Sequence, residues 1–124
     1  MIIGTLKEKK KFENRVAISP DEVKSYLKSG HQVLIEKGAG SLSGFTDKSY
    51  KEAGATITNS KEVLKTSEII IKINCPSPEE SKLINNKAMV VSQISTQNNQ
   101  ESIKILNSRK VSAFALELIS LDSS

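Results

Sequence analysis

A chain of 124 residues, 37% hydrophobic and 26% charged, has the composition of a single globular domain rather than of a disordered segment. Trp is absent and aromatics reach only 4%, so the core must rest on Ile, Val and Leu, residues that favour buried sheet. The net charge of +4 comes from 18 cations scattered along the chain, with only Arg15 and Arg109 as arginines and no interleaved aromatics to stack on bases, so nucleic acid is not an expected partner.

In chain order, the first predicted strand is Ile2 to Thr5. Lys7 and Lys9 to Lys11 follow, broken by Glu8, and read as a solvated loop. Ser19-Pro20-Asp21-Glu22 then signs a helix start. The Ser hydroxyl can accept from a free backbone N–H, Pro fits the first helical position, and Glu can reach back to the cap. That helix, near 20–29, has Val23, Tyr26 and Leu27 as its buried stripe and Gly30 as its left-handed stop. A strand from Gln32 to Glu36 runs into Gly38-Ala39-Gly40 and Gly44, ahead of a helix near 47–53. Thr56 to Thr58 is a short strand and 60–66 a helix. In the next strand, Glu68 to Ile73, four isoleucines put apolar side chains on both faces, as a central parallel strand requires. Ser77-Pro78-Glu79-Glu80 repeats the capping grammar before a helix near 78–83. Strands at Ala88 to Ser92 and Val111 to Leu116 flank a helix near 99–108. The alternation predicts an α/β fold of three layers, with a mostly parallel sheet and helices on both faces. No repeat or linker interrupts it, so residues 1–124 form one domain.

Few residues carry chemistry. The glycine segment has the strand–loop–helix order of a phosphate cradle, but its spacing is G-x-G-x-x-x-G rather than G-x-G-x-x-G. The next strand ends Ile57-Thr58-Asn59, without the acidic residue a dinucleotide ribose needs, which favours a structural turn. Arg15 follows the first strand, and Lys72 lies toward the carboxyl end of the Ile-rich strand. Ligands of open parallel sheets bind outside those ends, so the two cations could converge on a carboxylate or phosphate. Equally, each could pair with a local carboxylate such as Glu13, because a Lys among isoleucines needs a compensating partner. His31 reads as a hydrogen-bonded rim residue and Cys75 as a small apolar filler. A single Cys excludes an internal disulfide, no cluster has metal-ligand spacing, and Asp47 and Glu117 lack a paired carboxylate. The N-terminus does not resemble a secretion signal, and the longest apolar run, Ile69-Ile70-Ile71, is far short of the ~20 residues that span a bilayer. The chain is therefore expected to be soluble and cytoplasmic.

The run Glu13-Asn14-Arg15-Val16-Ala17, then Ser19-Pro20, Gly30-His31, Glu36-Lys37-Gly38-Ala39-Gly40, Ser43-Gly44-Phe45, Asp47, Tyr50 and Ala53-Gly54-Ala55, continues through Ile71-Lys72-Ile73 to Ala115-Leu116-Glu117-Leu118. In order and spacing it resembles the N-terminal domain shared by alanine dehydrogenases and the α subunit of NAD(P) transhydrogenase. That resemblance implies a Rossmann-like or flavodoxin-like domain that stands beside a separate NAD(H)-binding domain. In the alanine dehydrogenases, Arg and Lys at the positions of Arg15 and Lys72 hold the substrate carboxylate, and a catalytic His falls where this chain has Ser95. A Ser hydroxyl cannot replace imidazole as an acid/base at neutral pH. Together with Ile71-Lys72-Ile73-Asn74 and Val91-Ser92, this makes the chain look more like the transhydrogenase branch.

On that resemblance, the complete enzyme passes hydride between NAD(H) and NADP(H), coupled to proton movement through a membrane-embedded part. After the Glu-Leu matching Glu117-Leu118, the family has a loop with two Arg, a Gln, a Ser and an Asp near the nicotinamide. Here the residues are Ile119-Ser120-Leu121-Asp122-Ser123-Ser124. The chain is therefore expected to be an incomplete domain, inactive and binding no cofactor alone, with no catalytic residue of its own. Expected partners are a separate NAD-binding chain, membrane-embedded transhydrogenase subunits, which would hold it at the inner membrane, and a second copy in a homodimer. Two alternatives stay open. One is the front of an alanine dehydrogenase, with Arg15 and Lys72 gripping pyruvate; the other is a non-catalytic remnant or interaction module.

Overall fold

A computed structural model describes residues 1–94 and 98–115. Its elements are β1 (Ile2–Thr5), α1 (Pro20–Lys28), β2 (Gln32–Glu36), α2 (Asp47–Ala53), β3 (Thr56–Thr58), α3 (Ser60–Thr66), β4 (Ile69–Asn74), α4 (Pro78–Leu83), β5 (Met89–Gln93), α5 (Gln100–Ser108) and β6 (Ser112–Ala115), with one turn of 3-10 helix at Ser41–Ser43. The strands form one sheet in the order β3-β2-β1-β4-β5-β6, and every pairing is parallel. β4 and β5 begin and end one residue later than their sequence patterns suggest. The last residue expected in β6, Leu116, lies outside the described residues.

Two hydrophobic cores cover the two faces of this sheet. One gathers Ile3, Val33 and Ile35 with Val23 of α1 and Tyr50 and Ala53 of α2. The other gathers Leu34, Ile70 and Val90 with Val63 and Leu64 of α3 and Leu106 of α5. Val33, Leu34 and Ile35 divide between the cores because successive side chains of a strand point to opposite faces. The layers are thus α1–α2, sheet and α3–α4–α5, a Rossmann-like arrangement.

Local chemistry starts the helices where the sequence marks them. Ser19 and Ser77 each accept from the N3 backbone, while Glu22 and Glu80 reciprocate to the cap residue's N–H. Gly30, at φ 91°, takes the left-handed position after α1. Tyr50 is fully buried, and its hydroxyl donates to the Ile18 carbonyl at 2.7 Å, tying α2 to the chain that enters α1. Burial pushes its phenol up to about 12, with Glu22 and Asp47 adding to the shift.

Replacing Tyr50 by Phe keeps the ring but leaves the buried Ile18 carbonyl without its donor. The expected loss is about 1–3 kcal/mol, read as a lower urea midpoint at unchanged slope. An unaltered midpoint would show that the hydroxyl carries no weight in holding α2.

Candidate functional site

Strand order reverses at β1, which lies between β2 and β4: the chain builds outward through β2 and β3, then returns to add β4 on the other side. At such a switch point the loops leaving adjacent strands part and open a crevice at the carboxyl ends. The segment after β1 supplies Glu8, Glu13 and Arg15 here, and the end of β4 supplies Lys72 and Asn74.

Lys72 is 2% exposed and Glu8 6%. Its Nζ donates to Glu8 Oε1 at 3.1 Å. The β4–β5 register shifts between Ile71 and Asn74, and within this irregularity two backbone amides turn to the same carboxylate. Ile73 N–H donates to Oε2 at 2.9 Å and Asn74 N–H to Oε1 at 3.1 Å. The Asn74 side chain adds a longer bond to Oε1 at 3.4 Å. A buried carboxylate is tolerable under these conditions, because both oxygens are met by donors. The expectation that Glu8 lies in a solvated loop is therefore corrected. Lys7, Lys9, Lys10 and Lys11 are exposed, but Glu8 turns inward to neutralise Lys72.

Arg15 is paired on the other side of Asn74. Its Nε and Nη2 donate to the two oxygens of Glu13 at 2.9 and 3.0 Å, and Asn74 Nδ2 donates to Glu13 Oε1 at 3.0 Å. Arg15 holds the Glu13 carboxyl down at about 2, with Asn74 assisting and partial burial opposing. The structure thus brings the two predicted cations into one hydrogen-bonded chain, Arg15–Glu13–Asn74–Glu8–Lys72. The pairing of each cation with a carboxylate is what the structure shows, Arg15 with Glu13 and Lys72 with Glu8.

A cavity of about 680 Å³ opens beside this chain, with Lys72 and Asn74 in its wall; Arg15 is not part of the lining. The charged lining residues cancel, Lys9, Lys10 and Lys72 against Glu8, Glu80 and Glu101. Glu80 is 5% exposed and does more than cap α4. One of its oxygens has no hydrogen-bond partner and stands 3.7 Å from Lys9 Nζ. Cys75 also lines the cavity, and burial raises its thiol pKa, against the pull of Lys72, which makes it a poor nucleophile.

The other sequence candidates lie elsewhere. His31 precedes β2, at the amino end of the sheet, and its buried Nδ1 has no hydrogen-bond partner, contrary to the expected bonded rim residue. The glycine segment folds back on itself. Gly38 N–H donates to Asp47 Oδ1, Ala39 N–H to Glu36, Gly44 N–H to Ser41, and both Ser43 and Phe45 N–H to Gly40. Gly38 and Gly44 have φ of 80° and 84°, and a Cβ on Gly40 would lie 2.7 Å from the Tyr50 ring. These glycines serve the turn's own geometry. Ser95 and residues 116–124, including Glu117 and Asp122, lie outside the described residues. Among the described residues, no group of His, Cys, Asp and Glu could hold a metal ion, and no helix is long and apolar enough to cross a membrane.

Residues 4–124 match the family alanine dehydrogenase/PNT, N-terminal domain. The chain is 39% identical over 122 residues to an alanine dehydrogenase of Methanococcus maripaludis, covering 98% of this chain and 33% of that protein. It is 37% identical over 119 residues to the NAD(P) transhydrogenase subunit alpha of Haemophilus influenzae, covering 96% and 23%. Among solved structures, transhydrogenase from Sinorhizobium meliloti superimposes with a TM-score of 0.89 at 32% identity, over 95% of this chain and 35% of the other. An L-alanine dehydrogenase superimposes with a TM-score of 0.87 at 32% identity, over 93% and 32%. The chain spans about a third or less of each relative, and the two branches match it about equally.

The Glu13–Arg15 arm of the site has a defined pH signature. The folded pKa of about 2 lies below the ordinary 4.5, so the stability this pair contributes is fully present above 4.5 and lost as pH falls toward 2. Wild-type protein is expected to lose more stability than Glu13→Gln across that window, measured by urea midpoints. Arg15→Ala should move the Glu13 carboxyl titration, followed by ¹³C NMR, part of the way back toward 4.5. A midpoint unmoved by that substitution would contradict the assignment.

Proposed function

This chain belongs to the alanine dehydrogenase/PNT N-terminal domain family, and on that footing we propose that it is the leading domain of an NAD(P) transhydrogenase α subunit. It serves hydride transfer between NAD(H) and NADP(H) once a nicotinamide-binding domain stands beside it. One observation carries the choice of branch. The chain's only imidazole, His31, sits before β2 at the amino end of the sheet, while the crevice with Lys72 lies at the carboxyl end. Amination or deamination at that crevice would find no imidazole supplied by this chain. Hydride transfer between two nicotinamides needs no such group, only apposition of the rings. The inward-turned amides of the glycine segment support the accompanying claim, that the pyrophosphate is held by another domain.

A second reading, the front of an alanine dehydrogenase, is favoured by the Lys72–Arg15 chain itself. Lys72 lines a cavity at the switch point and is wired to a guanidinium, the pair of donors a small 2-oxo acid would meet. In this reading Lys72 and Arg15 take the carboxylate of pyruvate.

Isothermal titration with NADH tests the first reading. The chain alone is expected to give no binding heat, and a micromolar Kd would overturn the need for a second domain. Side-chain ¹⁵N NMR with pyruvate tests the second, which expects the Lys72 and Arg15 signals to move together at millimolar ligand. Signals that stay fixed at tens of millimolar would sink it.

A further inference from the structure

The formal charges lining the crevice cancel, and each of the two cations has its own carboxylate. An anion held there would therefore depend on the direction of N–H donors rather than on net charge. Direction is what a lysine lacks by itself, since its ammonium rides on a flexible four-carbon stem with three rotatable donors. Glu8 supplies it. Its carboxylate is anchored by the Ile73 and Asn74 backbone amides, which are fixed by the sheet, and from that anchor it takes one Lys72 N–H. The same carboxylate receives the Asn74 amide, whose nitrogen also donates to Glu13, and Glu13 holds Arg15 through two bonds. Asn74 is the bridge between the two arms, and Glu8 holds that bridge through both its backbone and its side-chain nitrogen.

We propose that Glu8 is the positioning residue of the Lys72–Arg15 pair, holding Lys72 directly in the cavity wall and Arg15, outside the lining, through Asn74 and Glu13, so that the donors left over on the two cations are set relative to one another. This rests on the reading of the two cations as an anion site, the second of the two given above. It differs from a role in folding alone, because Arg15 is 62% exposed and contributes nothing to the core.

The test uses the full chain and three variants, Glu8→Gln, Asn74→Ala and the double variant Glu8→Gln/Lys72→Met. Without ligand, hydrogen exchange at Arg15 Nε is followed by ¹⁵N NMR, with the backbone amide spectrum confirming the fold. Exchange is expected to quicken several-fold in Asn74→Ala, with the Lys72 Nζ signal in place. In Glu8→Gln both the Arg15 and the Lys72 signals are expected to change. Should that variant fail to fold, the double variant removes the unpaired buried cation and should still show the faster Arg15 exchange. Arg15 exchange unchanged in both Asn74→Ala and the folded Glu8 variant overturns the proposal. With pyruvate as the probe, Glu8→Gln is expected to bind at least about tenfold more weakly than wild type, although it carries one more positive charge. Equal or tighter binding also overturns the proposal, because attraction by charge alone would then suffice. If wild type itself ignores pyruvate, the anion-site reading falls, and the ligand-free exchange decides the role of Glu8.

Discussion

The buried contact between Glu8 and Lys72 is the constraint around which the carboxyl end of the sheet is arranged. An ammonium in a strand of isoleucines is stable only if a carboxylate follows it in, and that carboxylate only if its own oxygens are met. Glu8 meets both conditions through two backbone amides, the Asn74 side chain and Lys72. The segment leaving β1 is thereby drawn across the end of β4, and the irregularity between Ile71 and Asn74 lies where those amides turn toward it. An apolar pair of similar volume often packs as stably, so what the charged pair adds where the loop crosses β4 is a fixed direction for its hydrogen bonds.

Most of the architecture was legible in the sequence because it is encoded locally. Ser19 with Glu22 and Ser77 with Glu80 announce two helices within four residues each, and the branched runs at Val33-Leu34-Ile35 and Ile69-Ile70-Ile71 announce strands whose two faces are both covered. The glycine segment was also readable, since its spacing argued for a turn, and its amides close that turn. The key acidic residue was not readable. Glu8 sits among lysines, a context that reads as solvated surface, and its partner is 64 positions away. The signal lay at Lys72, whose place in an apolar strand demanded a carboxylate, but nothing local singled out Glu8. Glu13 was visible as a neighbour of Arg15, and the amide of Asn74, which joins the two pairs, carried no sequence signal.

His31 shows the same limit from the other side. Its position after Gly30 suggests a bonded rim residue, yet its Nδ1 is covered and unpartnered, a consequence of packing that no local pattern records. What its position in the chain does fix is the end of the sheet. A residue entering β2 stands at the amino end of the sheet, opposite the crevice.

That separation matters because similarity weighs the two branches alike, at 39% and 37% identity over nearly the whole chain. What the two kinds of relative hold in common with this chain is a fold, and in this chain a crevice opens at its switch point. A crevice whose lining charges cancel has direction rather than net charge to offer. Among the described residues, the glycine-segment amides close their own turn and the imidazole of His31 stands at the opposite end of the sheet. Lys72 is set on the Glu8 carboxylate and Arg15 on Glu13, with Asn74 joining the two carboxylates. What the fold itself supplies at this crevice is a buried network whose orientation comes from the backbone amides of β4.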